Sequence, residues 1–199
     1  MKILVADMEG VFLPEIWINV ALKTGIEELK LTTRDISDYN VLMRKRLSIL
    51  KENNLKIQDI KEVISTLEPL EGAREILDWI RKESHIIILS DTFEEFAKPL
   101  LPKLGFPVLL CHSLTIDKDG NIIDYNLRID NQKARTVKVL KALNYEVIAF
   151  GDSYNDINMI QEAHHGFFFC PPVSVVNDFP DIPVTNNYDE LKTMIGSLL

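Results

Sequence analysis

Three short apolar runs, each followed at once by polar residues, constrain the fold of this chain more than any other feature. The runs cover residues 3–6, 85–89 and 146–150 and consist mostly of Ile, Leu, Val, Ala and Phe. Uninterrupted runs of this length are typical of strands that are buried on both faces of a parallel sheet. Helical patterns alternate with such runs from residue 73 onward. The sequence therefore predicts an α/β fold, with a parallel sheet covered by helices on both faces.

The segment after the first run has a different character and predicts an insert. Residues 15–67 show helical patterns without strands, most clearly at 56–67, where apolar residues recur on one helical face. Turn-forming residues then mark the return to the sheet. We therefore predict an α/β core formed by residues 1–14 and 69–199, and an all-helical cap domain formed by residues 15–68.

The second half of the chain predicts further elements of the core. A helix is expected over residues 93–104, ended by Gly105, and a short strand over 107–111. Asp119 and Gly120 stand between apolar runs, a pattern that favours a β-hairpin turn. A last helix is expected near residues 188–194.

Reactive side chains follow the predicted strands. The first run ends in Asp7 and Glu9, and the third leads into Asp152 and Asp156. Between them stand a hydroxyl-bearing segment and a lysine, Ser90-Asp91-Thr92 and Lys133. Open α/β sheets bind ligands at the carboxyl ends of their strands, so these groups are expected at one edge. Acids for a divalent metal, with a hydroxyl and an ammonium for phosphate oxygens, indicate phosphoryl transfer.

These segments resemble, in order, the four motifs of haloacid-dehalogenase-type phosphatases. They are Asp7–Val11, Ser90–Thr92, Lys133 and Gly151–Asp156, and the likeness runs essentially end to end. The chain is similar to phosphoserine phosphatases, above all to the group that acts as a phosphoserine:homoserine phosphotransferase. The resemblance implies a Rossmann-like core, a helical cap after the first motif, and an enzyme of serine and threonine biosynthesis.

The resemblance also implies the catalytic roles. Asp7 would attack the phosphorus and become an aspartyl phosphate. Glu9 would protonate the departing serine oxygen and then deprotonate the attacking water or alcohol. Mg²⁺ would be held by Asp7, the main-chain carbonyl of Glu9 and Asp152. Most relatives carry aspartate at position 9, whereas the homoserine-transferring group has glutamate.

The remaining motif residues are expected to bind the substrate. Ser90 and Lys133 would bind phosphoryl oxygens with help from Asn155, and Asp156 would orient a metal-bound water or Lys133. Thr92 belongs to the same hydroxyl-bearing segment as Ser90. Asp91 stands where many phosphoserine phosphatases have glycine, so its role is open.

Two residues of the insert are expected to recognise L-phosphoserine. Glu15 follows the first motif, and Arg46 borders an apolar helical stripe. In phosphoserine phosphatases the matching residues hold the amine and the carboxylate of the substrate, and guanidinium suits a carboxylate. Arg34 and Asp38 are further candidates in the insert without an assigned role.

Structural alternatives remain open for these residues. The acids and Ser90 could be helix caps. Lys138 and Lys141 compete with Lys133 as the phosphate-binding lysine. Glu15 could be a first-turn helix charge, and the stem of Arg46 could simply cover the apolar stripe.

Two other functions also remain open. The first is a phosphatase of the same fold that acts on another small phosphomonoester. The second is a phosphorylation switch like a response-regulator receiver, which also combines an acid pair, a hydroxyl and a lysine. The phosphoacceptor of receivers lies at a later strand, which disfavours that reading.

The composition limits the partners. A net charge of −8 disfavours nucleic acid and anionic membranes. With no secretory or membrane-spanning pattern, we expect a cytoplasmic protein, monomeric or homodimeric, in which Cys111 and Cys170 are buried thiols. His112, like the other three histidines, is interpreted as a structural or surface residue, and Trp17 as core packing.

Overall fold

The computed structural model describes residues 1–33, 35–36 and 38–199, so Arg34 lies outside the described residues. The strands are β1 (Lys2–Ala6), β2 (His85–Phe93), β3 (Val108–Ile116), β4 (Ile122–Asn126), β5 (Glu146–Gly151), β6 (His165–Phe169) and β7 (Val184–Thr185). Within the described residues they form one sheet in the order β4-β3-β2-β1-β5-β6-β7. Strands β3 and β4 pair antiparallel as a hairpin, and all other pairs are parallel. The predicted fold class is confirmed.

Helices connect the strands and fill the predicted insert. They are α1 (Ile16–Thr24), α2 (Tyr39–Glu52), α3 (Ile57–Ser65), α4 (Ala73–Glu83), α5 (Glu94–Ala97), α6 (Gln132–Ala142), α7 (Ile157–Glu162), α8 (Val173–Asp178) and α9 (Tyr188–Leu198). In the part of the chain that the structure describes, none of these helices has the length and apolar content to cross a membrane.

Strand β1 lies at the centre of the sheet and is covered on both faces. Leu4 and Ala6 belong to a core cluster with residues of α4 and α9, while Ile3 and Val5 belong to another with residues of α6 and α7. This alternation is the period-two pattern of a strand with two buried faces. It explains why the run from residue 3 to residue 6 contains no polar side chain.

The register of the central strands brings the predicted motifs together. Ala6 is paired with Ile88 of β2 on one side and with Phe150 of β5 on the other. Because the three strands are parallel, the residues that follow these positions emerge at the same edge of the sheet.

The helical insert packs against the hairpin side of the sheet. Arg44 of α2 forms an ion pair with Asp124 of β4 at 2.8 Å, and the Tyr125 hydroxyl donates to Asn40 at 2.6 Å. Asp38 caps α2 by accepting from two backbone N–H groups, which gives this residue a structural role. Residues 15–68 thus contain helices and no strand among the residues described, although their status as a separate cap domain stays a prediction.

Three sequence predictions are wrong in detail. The helix expected over residues 93–104 is one turn, Glu94–Ala97, followed by turns, because Pro99 and Pro102 cannot donate the backbone hydrogen bonds of a longer helix. Strand β3 (Val108–Ile116) is continuous, so the short strand predicted over 107–111 and the apolar run 114–116 before the hairpin turn form one element. Cys170 is exposed rather than buried, because the chain leaves β6 there in a left-handed conformation, with φ of 46°.

Candidate active site

The ends of β1, β2 and β5 form a polar cluster at one edge of the sheet. Asp7 directly follows β1, Asp152 directly follows β5, and Ser90 lies in the second half of β2. All three side chains are buried. The sheet thus brings together Asp7 and Ser90, which are more than 80 residues apart in the sequence, and Asp152, which follows Ser90 by about 60 residues.

Lys133 is the cation of this cluster. Its Nζ lies 2.9 Å from Asp7 Oδ2 and 2.8 Å from Asp156 Oδ1, and only 2% of the residue is exposed. Burial alone would lower the pKa of Lys133, but Asp156 and Asp7 outweigh it and hold that pKa well above its usual value. Lys133 therefore stays an ammonium ion and can neutralise negative charge at Asp7.

The two competing lysines lie elsewhere. Lys138 and Lys141 both reach Glu162 near the protein surface, at 3.6 Å and 3.0 Å. Their side chains are 65% and 33% exposed, whereas that of Lys133 is 3% exposed. Of the three lysines, the structure brings only Lys133 to the acidic motifs.

Three buried carboxylates beside Lys133 offer a metal site. Ligand atoms of Asp7, Asp152 and Asp156 lie within 4.8 Å of one another. Burial, the main cause, together with Asp156 raises the pKa of Asp7 well above its ordinary value, even though Lys133 opposes the shift. The ammonium ion thus does not fully balance the surrounding acids. Three hard oxygen donors with excess negative charge fit Mg²⁺, which prefers carboxylate and water ligands.

Asp156 is committed to structural bonds as well. Its Oδ2 accepts from the backbone N–H groups of Asp152 and Ser153, at 3.0 Å and 3.1 Å. With Ser153 it forms a capping box for the short helical turn Tyr154–Asp156. The capping alternative therefore holds for Asp156, and it coexists with the ion pair to Lys133.

Gly10 leaves room for Asp152. Its φ of +75° is a left-handed conformation, and a Cβ at this position would stand 2.5 Å from the Asp152 carboxyl carbon. Glycine is the residue that tolerates both conditions at once. Gly10 of the first motif thus allows the backbone that follows β1 to approach Asp152 of the fourth motif.

Glu9 lines the pocket with Asp7 and is anchored to the insert. Its Oε2 accepts from the backbone N–H of Ile16 at 2.8 Å. Burial, followed by repulsion from Glu15, raises the pKa of Glu9 to about 7, although bonds from Ile16 and Thr92 oppose the shift. A carboxyl group with this pKa can both donate and accept a proton near neutral pH.

Arg46 is buried on α2 and points into the same pocket. Its guanidinium lies 4.6 Å from the centre of the Trp17 ring, and Nη2 donates to the Leu31 carbonyl at 2.8 Å. Burial lowers the pKa of Arg46 to about 10. Its Nε is a buried donor with no hydrogen-bond partner among the described residues. An unpaired buried donor is costly, so the guanidinium is suited to donate to a bound ligand.

Glu15 lines the same pocket as Arg46. Among the described residues no ion pair joins the two, and the Glu15 side chain makes no capping bond to α1. Its charge nevertheless acts on both Glu9 and Arg46. A pocket lined by both an acidic and a basic side chain suits a ligand that carries both an amine and a carboxylate.

One pocket collects most of the predicted residues. Its lining includes two threonines and a tyrosine from the insert, and comprises Asp7, Glu9, Glu15, Trp17, Thr32, Thr33, Tyr39, Leu42, Arg46, Ser90, Asp91, Thr92, Asp152, Ser153 and Asn155. Lys133 lies behind Asp7 and lines an adjoining cavity with Asp91 and Asn155. The cap alternative fails for Ser90, because α5 begins at Glu94 and has no side-chain cap.

Sequence reasoning missed several residues around this pocket. His112 is buried with Nε2 3.5 Å from Asp91 Oδ1, so its interpretation as a structural or surface residue overlooked the site. Gln132 and Tyr39 also bond to residue 91. Trp17 supports Arg46 in addition to packing in the core. Only Gln132 carried a usable signal, since it directly precedes Lys133.

The comparisons with known proteins agree with this geometry. A family model described as haloacid dehalogenase-like hydrolase matches residues 2–164. Phosphoserine phosphatase ThrH of Pseudomonas aeruginosa is 54% identical over 192 residues, which cover 96% of this chain and 94% of that protein. A phosphoserine phosphatase of Pseudomonas syringae pv. tomato is 52% identical over 96% of this chain and 81% of its own length.

A solved structure supports the fold separately. The chain is similar to a phospho-aspartyl intermediate analogue of phosphoserine phosphatase, with a TM-score of 0.77, 24% identity, and coverage of 97% of this chain and 98% of that chain. At that identity the likeness concerns the fold alone. The family match over most of the sequence and the two relatives above half identity show that this chain belongs to the haloacid dehalogenase-like hydrolases.

Proposed function

We propose that this protein is a Mg²⁺-dependent phosphatase that hydrolyses L-phosphoserine through an aspartyl phosphate on Asp7. The observation that carries the proposal is one pocket lined by both Asp7 and Arg46, whose Nε has no hydrogen-bond partner among the described residues. Relatives of more than 50% identity bear the name phosphoserine phosphatase. The pocket thus pairs a reacting carboxylate with a receptor for a substrate carboxylate.

Asp7 is the nucleophile in this proposal. One of its oxygens forms a bond to phosphorus while the bond from phosphorus to the serine oxygen breaks. Lys133, 2.9 Å from Asp7 Oδ2, stabilises negative charge on the phosphoryl oxygens, and the Asn155 amide and Ser90 hydroxyl add donors. Such preorganised donors supply most of the stabilisation in phosphoryl transfer.

Glu9 moves the protons. With a pKa of about 7 it is partly protonated at neutral pH and can donate to the departing serine oxygen. The resulting carboxylate then removes a proton from the water that attacks the aspartyl phosphate. Glu9 thereby returns to its starting state, and Asp7 and inorganic phosphate are released.

Mg²⁺ fits the acids at the end of β1 and β5. Asp7 and Asp152 would hold the ion together with the Glu9 carbonyl, and Asp156 keeps the backbone of Asp152 in place. When bound, the ion supplies positive charge against the phosphate oxygens. Gly10 leaves the space in which the Asp152 carboxylate stands.

Arg46 and Glu15 give the selectivity for an amino acid. The guanidinium is fixed by Trp17 and Leu31, so little side-chain entropy is lost when Nε and Nη bind the substrate carboxylate. Glu15 receives the ammonium group. Phosphomonoesters without these two groups would leave both charges unpaired in a buried pocket.

Homoserine is proposed as a second acceptor in place of water. It carries the same ammonium and carboxylate groups as serine, and its hydroxyl stands one carbon–carbon bond, ~1.5 Å, farther out. Arg46 and Glu15 can therefore hold either amino acid. The longer side chain of glutamate at position 9 accompanies this activity in the group that the chain resembles.

The test is phosphate release from L-phosphoserine against a panel of phosphomonoesters, with Mg²⁺ or with a chelator. We expect a clear phosphoserine preference that disappears with the chelator and in Asp7→Asn. Homoserine phosphate should form when homoserine is added. Equal turnover of the whole panel would refute the proposed substrate, and activity in Asp7→Asn would refute the proposed nucleophile.

Two variants on α2, one inside the pocket and one outside it, test substrate recognition. Arg46→Gln is expected to lower kcat/KM for phosphoserine about 10- to 100-fold, because a charge-assisted pair is lost, and to spare an aryl phosphate. Lys45→Gln removes a neighbouring exposed charge and should change neither substrate. Equal losses on both substrates in Arg46→Gln would contradict a role in substrate recognition.

A further inference from the structure

The carboxylate of Asp91 joins two sets of donors. On one side Oδ1 accepts from Gln132 Nε2 at 3.2 Å and faces His112 Nε2 at 3.5 Å. On the other side Oδ2 accepts from Asn155 Nδ2 at 3.1 Å and lies 3.8 Å from Lys133 Nζ. Asp91 therefore connects the buried side chains of Gln132 and His112 with Asn155, which lines the pocket, and with Lys133, which contacts Asp7.

Arg128 fixes which atoms of His112 and Gln132 donate to Asp91. The Arg128 backbone N–H donates to His112 Nδ1 at 3.1 Å, so this nitrogen carries no proton and the ring proton sits on Nε2, facing Asp91. Arg128 Nε donates to Gln132 Oε1 at 3.0 Å. The amide NH₂ of Gln132 must therefore face Asp91 and the carbonyl of Ser90, to which it donates at 2.6 Å.

The orientation of Asn155 is fixed at both ends. A carboxylate only accepts hydrogen bonds, so the amide edge that faces Asp91 must be the NH₂ group. At the other end the Ser153 hydroxyl donates to Asn155 Oδ1 at 2.6 Å. One N–H of the amide remains after the bond to Asp91, and Asn155 lines the pocket that contains Asp7. That N–H is available for a phosphoryl oxygen.

We propose that Asp91 is a positioning residue, which turns the Asn155 amide so that an N–H rather than an oxygen meets the phosphoryl group, and which restrains Lys133 beside Asp7. The proposal rests on the proposed function, because it assigns a phosphoryl group to this pocket. His112 and Gln132 act through Asp91, since they hold its Oδ1 and leave Oδ2 for Asn155 and Lys133.

The ionisation of Asp91 agrees with this role. Burial would raise the pKa of the carboxyl group, but Lys133, His112 and Gln132 outweigh it and hold the pKa below its usual value. Asp91 therefore remains an acceptor on both oxygens throughout the neutral pH range, and no protonated form competes to turn Asn155 around.

Asp91→Asn is the most informative variant because it preserves the volume of the side chain. Gln132 and His112 both donate to position Oδ1, so the new amide must place its oxygen there and its NH₂ towards Asn155 and Lys133. The NH₂ group of the new amide would then face the NH₂ group of Asn155, and two donors cannot bond to each other. Asn155 would have to turn its oxygen towards position 91. A packing role predicts little loss in this variant, whereas a positioning role predicts about a 10- to 100-fold loss in kcat/KM.

A double-mutant cycle tests whether the effect passes through Asn155. Asp91→Ala, Asn155→Ala and the double variant are compared by kcat and KM, by the inhibition constant for inorganic phosphate, and by thermal melting. We expect the double variant to be no worse than the worse single variant, and phosphate inhibition to weaken in each. Asp78→Ala, which removes an exposed partner of Arg74 and Arg81, serves as a control whose small effect should add to that of Asp91→Ala.

The outcomes separate this proposal from the proposed function. Wild-type kcat/KM in a folded Asp91→Asn, or additive losses in the cycle with Asn155, would overturn the role of Asp91. If the wild type instead shows no preference for phosphoserine, the substrate assignment fails. The cycle can then be repeated with an aryl phosphate, which needs the phosphoryl-binding residues alone.

Discussion

Replacing Gly10 with alanine should displace the Asp152 carboxylate and thereby lower activity. The Cβ of the new residue would stand 2.5 Å from both Cγ and Oδ2 of Asp152. Ordinary contacts between such atoms are about 3.5–4.0 Å, so the carboxylate must move by about 1 Å or more. A displacement of that size at a reacting centre can cost about 100-fold in rate. We therefore expect kcat/KM to fall by about two orders of magnitude.

Gly25 provides the control for backbone strain. Its φ of +74° matches the +75° of Gly10, but no described residue lies within 4 Å of a Cβ built there. Gly25→Ala should therefore cost only the left-handed penalty of about 1–2 kcal/mol. In a protein of this size that corresponds to a fall in Tm of roughly 2–4 °C per kcal/mol. Activity should be unchanged, because Gly25 ends α1 away from the pocket.

The assay compares the two variants in parallel by chemical unfolding, by turnover of phosphoserine, and by titration with Mg²⁺. Gly10→Ala should be less stable than Gly25→Ala and should require more Mg²⁺ for half-maximal activity, since Asp152 is displaced. If Gly10→Ala keeps wild-type turnover and the same dependence on Mg²⁺, the close approach to Asp152 has no functional meaning and the metal assignment is refuted.

Three further predictions follow from the buried charges and the insert. Lys133→Met should abolish turnover and lower the free energy of unfolding by about 3–5 kcal/mol, because it leaves buried carboxylates unpaired, whereas Lys138→Met should be silent in both assays. Without metal, stability should fall as pH rises above about 4, because burial raises the pKa of Asp7 and the native state therefore binds more protons than the unfolded state. Unfolding curves with a chelator and with Mg²⁺ test this, and saturating Mg²⁺ should flatten the slope. Tyr39→Phe removes the hydroxyl that donates to the Asp91 carbonyl at 2.9 Å and should raise KM more than it lowers kcat, with about 1 kcal/mol lost at most in unfolding experiments.

The sequence predicted the sheet well because the central strands are buried on both faces. In β1 every position between Ile3 and Ala6 must be apolar, and this requirement leaves an unambiguous run. The acids after β1 and β5 were equally visible, since they follow apolar runs. The strand ends and their meeting point were therefore accessible without coordinates.

The helix expected after β2 failed because a local pattern was given more weight than backbone chemistry. Apolar residues recur with helical spacing between Phe93 and Leu104, and they are indeed buried. Successive turns place them in the core just as a helix would. The two prolines decide between the alternatives, because each lacks the backbone donor that a longer helix requires.

Contacts between distant segments account for what the sequence did not reveal. His112 reaches Asp91 because β3 pairs with β2 in a register that shifts between Leu89 and Phe93. No spacing rule connects residues 91, 112 and 132. Their chemistry becomes readable only when distances and donor directions are known.

The charges at the strand ends favour a cation over a phosphate dianion. Among the described residues, the carboxylates of Asp7, Asp152 and Asp156 cluster at the strand ends, Lys133 is the ammonium ion that contacts Asp7 and Asp156, and Asp91 adds a more distant negative charge. A phosphate dianion would meet net repulsion at such a site. The same excess of acid favours binding of a divalent cation, and a bound cation would reverse the sign of the local field. We therefore expect the residues at the end of the sheet to bind a divalent metal more readily than substrate, and metal binding to accompany or precede productive binding of the phosphoryl group.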